Sequence, residues 1–338
     1  MWGVPLPEKA LIERIAHQAQ TYGPVPGSRR SDTSLTGRNS PGVAALLRGI
    51  GDDCALLQVP HSHQLLVTTD FSLEGVHFQR KWHPPESVGH RCLARGLSDI
   101  AAMGGVPLAA FLSLALPAAL PQRWVDGFLR GFLALAKKYG VPLAGGDTAQ
   151  SPAGVLADIV VLGSAPKGTA VLRSRARPED SLYVTGELGG SALLLQRLLR
   201  GSLQKPQPRH YPAHFFPTPR LAVGRALRER ELAVAMIDLS DGLSTDLRHL
   251  CDESGVGARI FAEKLPVAGG PANLRFALHG GEDYELLFAA RGKVPARIAG
   301  VPVTRIGEIT RGRKIVLVEN GKQRGLPDRG WEHFARRR

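Results

Sequence analysis

Six short acidic motifs, spread along a basic chain, constrain this sequence more than any other feature. They are Gly51-Asp52-Asp53, Thr68-Thr69-Asp70, Leu97-Ser98-Asp99, Gly145-Gly146-Asp147-Thr148, Asp238-Leu239-Ser240-Asp241-Gly242 and Gly280-Gly281-Glu282-Asp283. Many set a carboxylate beside glycine at the end of a strand-like run. Carboxylates packed together repel, so a fold that gathers several needs a compensating cation. Hard oxygen donors suit Mg2+, which keeps waters and shares its shell with substrate phosphates. Neighbouring glycines let backbone N–H groups approach phosphate oxygens. No His or Cys cluster competes for a softer metal. Each motif alone is also ordinary turn chemistry: Asp70 could cap the next element, and Ser240 or Asp241 could N-cap a helix. Six in one chain favour a nucleotide site with several magnesium ions over turns alone.

Apolar periodicity gives the frame for these motifs. Strands are expected over residues 64–69, 108–116, 155–162, 181–185, 233–239, 258–261, 285–289, 303–309 and 314–318. Helices are expected over 87–103, 124–135 (closed by Gly140), 191–199, 220–230 and 240–251. A short amphipathic helix is expected within the first 20 residues. Residues 22–49, rich in Gly, Pro, Ser and Arg, read as a loop insertion, and 201–219 as a Pro- and His-rich excursion. Strands and helices alternate in both halves, which gives an α/β (α+β) chain of two domains, residues 1–165 and 166–338.

The chain has 338 residues and a formal charge of +13. Residues 291–338 hold 13 Lys and Arg against 4 Asp and Glu, so much of the surplus is C-terminal. A basic surface attracts nucleic acid or phosphorylated metabolites. Here no aromatic-interleaved pattern or helix-turn-helix signal accompanies it, so a nucleic-acid partner is not expected. Three cysteines are too few and scattered for a disulfide framework. No apolar run reaches the length of a membrane span, and the N-terminus lacks a secretory signal, so a cytoplasmic protein is expected. The P-loop Gly-Lys-Ser/Thr signature is absent, as are the protein-kinase signatures.

In this order the motifs resemble the thiamine-monophosphate kinase family, within the superfamily of aminoimidazole-ribonucleotide synthetase-like ATP-binding enzymes. The resemblance runs from about Ile50 to Phe334. Glu74-Gly75-Val76-His77-Phe78, Gly280-Gly281-Glu282-Asp283-Tyr284-Glu285-Leu286 and Gly330-Trp331-Glu332-His333-Phe334 point to this member rather than to the superfamily at large. It implies transfer of the ATP γ-phosphoryl to thiamine monophosphate, giving thiamine diphosphate. It implies that Asp53, Thr68, Thr69, Asp70, Asp99, Asp147, Asp238 and Asp241 hold magnesium. Gly146, Asp147, Arg173 and Ser240 would contact ATP, and His77, Glu282 and Trp331 the thiamine substrate. Asp70, Asp241 and Arg173 would carry the catalytic step. The N-terminal sheet would pair as a barrel across a homodimer axis, with an aminoimidazole-ribonucleotide synthetase-like C-terminal α/β domain. Two positions depart from the family pattern: Gly96, where Asn is usual, and Gly190, where Asp is usual. The alternatives are a selenophosphate or aminoimidazole-ribonucleotide synthetase-like enzyme, or a basic nucleic-acid-binding protein.

Overall fold

The computed structural model describes residues 6–22, 45–50 and 54–332. It divides into two compact units: Met1–Ile100 with Gly105–Gly168, and Ala101–Gly104 with Thr169–Arg338.

The first unit contains α1 (Glu8–Tyr22), β1 (Ala45–Arg48), β2 (Leu56–Gln58), β3 (His63–Leu73), α2 (Pro85–Ala102), β4 (Val106–Pro117), α3 (Gln122–Tyr139), β5 (Leu143–Ser151) and β6 (Leu156–Pro166). Its four-stranded sheet has the order β3-β6-β4-β5. Only β4 and β5 run parallel, joined by the crossover helix α3, while the other pairs are antiparallel. Side chains alternate across each strand. Leu66, Leu112, Leu114, Ala157, Ile159 and Val161 are buried, whereas Leu65, Val67 and Phe71 are exposed. The buried face packs on α2, where a Cβ at Gly96 would meet the Val161 side chain. Helices α2 and α3 close on one another through glycine. A Cβ on Gly131 would lie 1.8 Å from the Glu86 carbonyl oxygen and one on Gly89 1.9 Å from that of Phe128, so only glycine permits this spacing.

Two expectations for this unit change. The run ending at Asp70 continues as strand to Leu73, because Asp70, Phe71 and Ser72 remain paired with β6. The Gly145-Gly146-Asp147-Thr148 motif is not a strand end but the middle of β5. Gly146 allows this pairing, since a Cβ there would lie 1.8 Å from the Leu112 carbonyl oxygen of β4. The 22–49 insertion falls mostly outside the described residues, and its end forms β1, which pairs with β2.

The second unit contains β7 (Ser181–Thr185), α4 (Gly190–Leu199), α5 (Pro212–Phe215), α6 (Leu221–Glu229), β8 (Ala235–Asp238), α7 (Leu243–Ser254), β9 (Gly257–Phe261), α8 (Leu274–His279), β10 (Leu286–Ala290), β11 (Arg297–Ile298), β12 (Val301–Thr310), β13 (Ile315–Glu319) and β14 (Lys322–Gly325). Its mixed sheet runs β14-β13-β9-β12-β7-β10-β8, with β11 beside β12. Leu243, Leu247, Leu250 and Cys251 of α7 share one apolar core with Leu182, Val184, Ile237 and Leu287 of the sheet. That spacing over two turns is the amphipathic stripe expected of a helix laid on a sheet.

One buried histidine gives the first unit an acid-sensitive point. His83 is buried, and its Nδ1 lies 3.2 Å from the donating Gln79 backbone N–H. Burial, followed by the nearby Arg91 charge, lowers its pKa to about 3. The unfolded chain binds this proton below about pH 6.5 and the folded chain does not, so stability falls as pH drops from 6.5 towards 3. The slope is about 1.4 kcal/mol per pH unit. Between pH 7 and pH 5, wild type should lose about 2 kcal/mol more than His83→Gln in urea unfolding. Equal losses in the two proteins would refute this assignment.

Candidate active site

In the first unit, strand pleating divides the candidate ligands. Thr68 and Asp70 share the helix-covered face of β3, and Thr69 takes the opposite one. The Thr68 hydroxyl donates to Asp99 of α2 in a short hydrogen bond, so these two candidates meet. Thr69 donates to Asp158 of β6 at 2.9 Å. Phe71, Asp158, Ser113 and Asp147 stand in register across β3, β6, β4 and β5, which sets Asp158 and Asp147 on the face that Thr69 occupies. The sequence reading missed Asp158, since an acid inside an apolar strand carries no local signal beyond its alternation. Asp147 is exposed and its carboxylate accepts the Thr148 N–H at 2.8 Å. Asp53 lies outside the described residues.

The loop after β3 orients His77. Glu74 accepts Arg80 Nε at 2.6 Å and the Val155 N–H at 3.0 Å. The Arg91 guanidinium donates to the His77 carbonyl at 3.3 Å. The Leu73 N–H donates to His77 Nδ1 at 3.0 Å. A ring nitrogen that accepts has no proton, so neutral His77 carries its proton on Nε2.

In the second unit three motifs join. The 238–242 turn leaves β8 with Asp238 buried and Ser240 and Asp241 half-buried. Residues 280–285 zip along it: the Glu282 N–H donates to the Ser240 carbonyl at 2.7 Å, the Tyr284 N–H to the Leu239 carbonyl at 2.9 Å, and the Leu239 N–H to the Glu285 carbonyl at 2.8 Å. Glu282 and Tyr284 have φ of 67° and 52°, left-handed values uncommon for non-glycine residues and concentrated at functional loops. The C-terminal segment closes the group, with the Trp331 N–H donating to the Asp241 carbonyl at 2.9 Å. Trp331 is 43% exposed. Arg173 does not join this group. It is exposed, and its carbonyl accepts the hydroxyl of Ser254 at the far end of α7. That end is about 16 Å from the helix start at 1.5 Å per residue.

Helix α7 begins at Leu243 behind Gly242, whose φ of 116° excludes a side chain, and Gly242 makes no side-chain cap. Neither Ser240 nor Asp241 is the cap, because the helix starts later than its sequence pattern suggests. Asp246 supplies the acceptor from inside the helix. Burial first, then the charges of Asp238 and Asp241, push its carboxyl up to about 8. Two further acids also serve the scaffold. Asp283 accepts the Gly189 N–H at the start of α4 at 2.8 Å. Glu285 is buried, accepts Thr185 Oγ1 at 2.6 Å, and is gripped by both arms of the Arg220 guanidinium. Cys92 and Cys251 are buried thiols that burial pushes up to about 12, and both are structural. Among the described residues no three His, Cys, Asp or Glu side chains assemble a metal cage.

The chain matches the AIR synthase related protein N-terminal domain over residues 51–165 and its C-terminal domain over 177–320. Its fold class is therefore that of the two-domain AIR synthase related proteins. A finer assignment follows from full-length relatives. Thiamine-monophosphate kinase of Salmonella typhimurium is 40% identical over 305 residues, 85% of this chain and 92% of that protein. The crystal structure of thiamine-monophosphate kinase from Stenotrophomonas maltophilia K279a superposes with a TM-score of 0.77 at 33% identity, covering 93% of this chain and 96% of that one. AaThiL complexed with AMPPCP and TMP gives 0.71 at 33% identity, covering 81% and 88%. The chain belongs to the thiamine-monophosphate kinase family.

The pair of half-buried Arg220 with buried Glu285 supports the loop that carries Glu282. Truncating Arg220 leaves a buried carboxylate unpaired, which costs about 3–5 kcal/mol. Arg220→Ala should therefore lower the thermal midpoint well below that of Arg14→Ala, which breaks the more exposed pair with Asp126. Equal effects would contradict the assigned role of this pair.

Proposed function

We propose that this protein is a phosphotransferase that moves the γ-phosphoryl group of ATP onto the phosphate of thiamine monophosphate, giving thiamine diphosphate and ADP. The observation that carries the reading is the hydrogen-bonded group of the 238–242 turn, Glu282 and Trp331. It joins three of the motifs shared with a family whose members match this chain at 33–40% identity over most of its length. The relatives above 30% identity favour neither a selenophosphate nor an aminoimidazole-ribonucleotide synthetase-like activity. No helix among the described residues is long and apolar enough to cross a membrane. We place the enzyme in the cytoplasm, with soluble anionic substrates.

The acceptor is already an anion, so in-line attack needs no strong general base. The barrier is repulsion between two phosphate groups. The candidate side chains are themselves acidic and would repel phosphates if left alone. Their donor set of carboxylates and threonine hydroxyls fits Mg2+. Asp53, Thr68, Thr69, Asp70, Asp99 and Asp147 in the first unit, with Asp238 and Asp241 in the second, would hold several ions. Among the described residues no three such groups form a cage, so waters and phosphates would complete each shell. Bound Mg2+ supplies charge neutralisation and alignment of the reacting oxygens. Gly146 and Asp147 in the first unit and Ser240 in the second are the proposed ATP contacts, and Arg173, at the far end of α7 from Ser240, would offset charge elsewhere on the nucleotide. His77 offers Nε2–H to the thiamine substrate, Glu282 accepts from it, and the Trp331 ring stacks on its cationic heterocycle.

The purified protein should make thiamine diphosphate from ATP and thiamine monophosphate only when Mg2+ is added, followed by chromatography. Asp70→Asn and Asp241→Asn should each lower kcat by about 100-fold or more, with unchanged circular dichroism. No product from wild type, or near-normal turnover by either variant at saturating Mg2+, would overturn the reading.

We also propose a homodimer, a reading that the open face of the first unit's sheet supports. Leu65, Val67 and Phe71 are 45%, 62% and 54% exposed along one strand, and such an apolar patch seeks a partner. A second copy presenting the same face would close the two sheets into a barrel. Light scattering should give twice the chain mass at micromolar concentration. Val67→Lys should shift the protein to monomer, and a wild-type monomer would refute this.

A further inference from the structure

We propose that Asp246 is a positioning residue that fixes the orientation of Asp241 for phosphoryl transfer. The proposal rests on the reading of Asp241 as a magnesium ligand given above.

Two peptide groups flank Asp241. Each has one donor and one acceptor, and all four are used. The Ser240 carbonyl accepts the Glu282 N–H at 2.7 Å, and the Asp241 carbonyl accepts the Trp331 N–H at 2.9 Å. The Asp241 and Gly242 N–H groups both donate to one oxygen, Asp246 Oδ2, at 3.1 and 2.9 Å. Both peptide planes are therefore pinned, and with them the backbone angles of Asp241. The two carbonyls are held by backbone, which no substitution removes. The two N–H groups depend on a single side chain. Asp246 is 2% exposed, so water does not readily replace it.

A simple helix cap satisfies N–H groups inside the first turn. Asp246 satisfies those of residues that precede the helix, while its own N–H returns to the Gly242 carbonyl at 3.0 Å. The reciprocal pair ties the turn to the rigid body of α7. Gly242, with φ of 116°, gives the backbone its freedom to pivot there. Without the acceptor, the Asp241–Gly242 peptide is held only at its carbonyl end. The same ring links Asp241 to Glu282 and Trp331, the residues read as substrate contacts, so the turn sets nucleotide-side and substrate-side groups in one frame.

The test compares wild type, Asp246→Asn, Asp246→Ala and Asp241→Asn. Asn keeps one oxygen acceptor at the same reach and Ala keeps none. Four quantities are read: thermal midpoint, kcat and KM for each substrate, binding of Mg2+·AMPPCP by calorimetry, and hydrogen exchange of a peptide covering residues 239–247. Misplacing a catalytic group by about 1 Å costs about 100-fold. Asp246→Ala should therefore lose about that in kcat at a temperature where it is folded. It should also weaken Mg2+·AMPPCP binding by more than about tenfold and exchange faster at the turn. Asp246→Asn should stay within about tenfold of wild type in kcat. A drop in midpoint for Asp246→Ala with unchanged kcat and nucleotide binding would show a merely structural role. Equal damage by Asn and Ala would show that an oxygen acceptor at this position does not preserve activity and would overturn positioning. If Ala does not fold, Asn and the wild-type exchange pattern still decide, because slow exchange confined to residues outside the turn contradicts the pinned peptides. Failure of the underlying reading is separate: it is seen when Asp241→Asn itself is fully active.

Discussion

Carboxylates of like charge gather in a folded chain only when each is held by donors or cations, and this requirement shapes both units. The acids divide by what holds them. Asp246, Asp283 and Glu285 turn inward and are met by backbone N–H groups, a threonine hydroxyl or the Arg220 guanidinium. Burial still raises the pKa of Asp246 and Asp283 despite these donors, which eases the repulsion inside the loops. Asp241, Glu282 and Asp147 keep partial or full exposure and can meet an incoming cation or substrate. The inward set makes the outward set affordable, since a turn crowded with charge stays in place only when its backbone is already committed.

In the first unit, pleating adds a second constraint. Three consecutive residues of a strand cannot aim their side chains to one side. Thr68 and Asp70 thus fall with Asp99, and Thr69 falls with Asp158 and Asp147. If all serve magnesium, they serve more than one ion, a conclusion that follows from strand geometry. The open face also carries Leu65, Val67 and Phe71, so the polar row at Thr69, Asp158 and Asp147 shares a surface with the proposed dimer contact.

Much of this architecture was legible in the sequence, and the exceptions share a cause. Apolar strands such as β6 and β7, and striped helices such as α3, advertise themselves by period. β5 does not: its Gly145-Gly146-Asp147-Thr148 core imitates a turn, and tertiary pairing with β4 overrides that local signal. The start of α7 was misplaced for the converse reason. Ser240 and Asp241 look like caps, but their backbone is claimed by residues 282 and 331, far away in the chain. Asp246 has no local signal in the sequence, yet it is buried under the turn. The outward-facing candidates stand in recognisable motifs, whereas the residues that hold those motifs are hidden in the sequence, because their partners are non-local.

The two departures from the family pattern differ in physical meaning. At Gly96 a Cβ would lie 2.5 Å from Val161 Cγ2. Helix α2 and strand β6 therefore meet too closely for a side chain, and Val161 fills the space that one would need. Replacing Gly96 alone would force the two apart, so this glycine belongs to the packing rather than to a lost contact. Gly190 is different. A Cβ there meets only Ala268 at 3.5 Å and Ala213 at 3.8 Å, which is ordinary contact. It opens α4, whose first N–H groups attract negative charge. Asp283 already accepts the Gly189 N–H from across the loop. That contact ties α4 to the segment that presents Glu282.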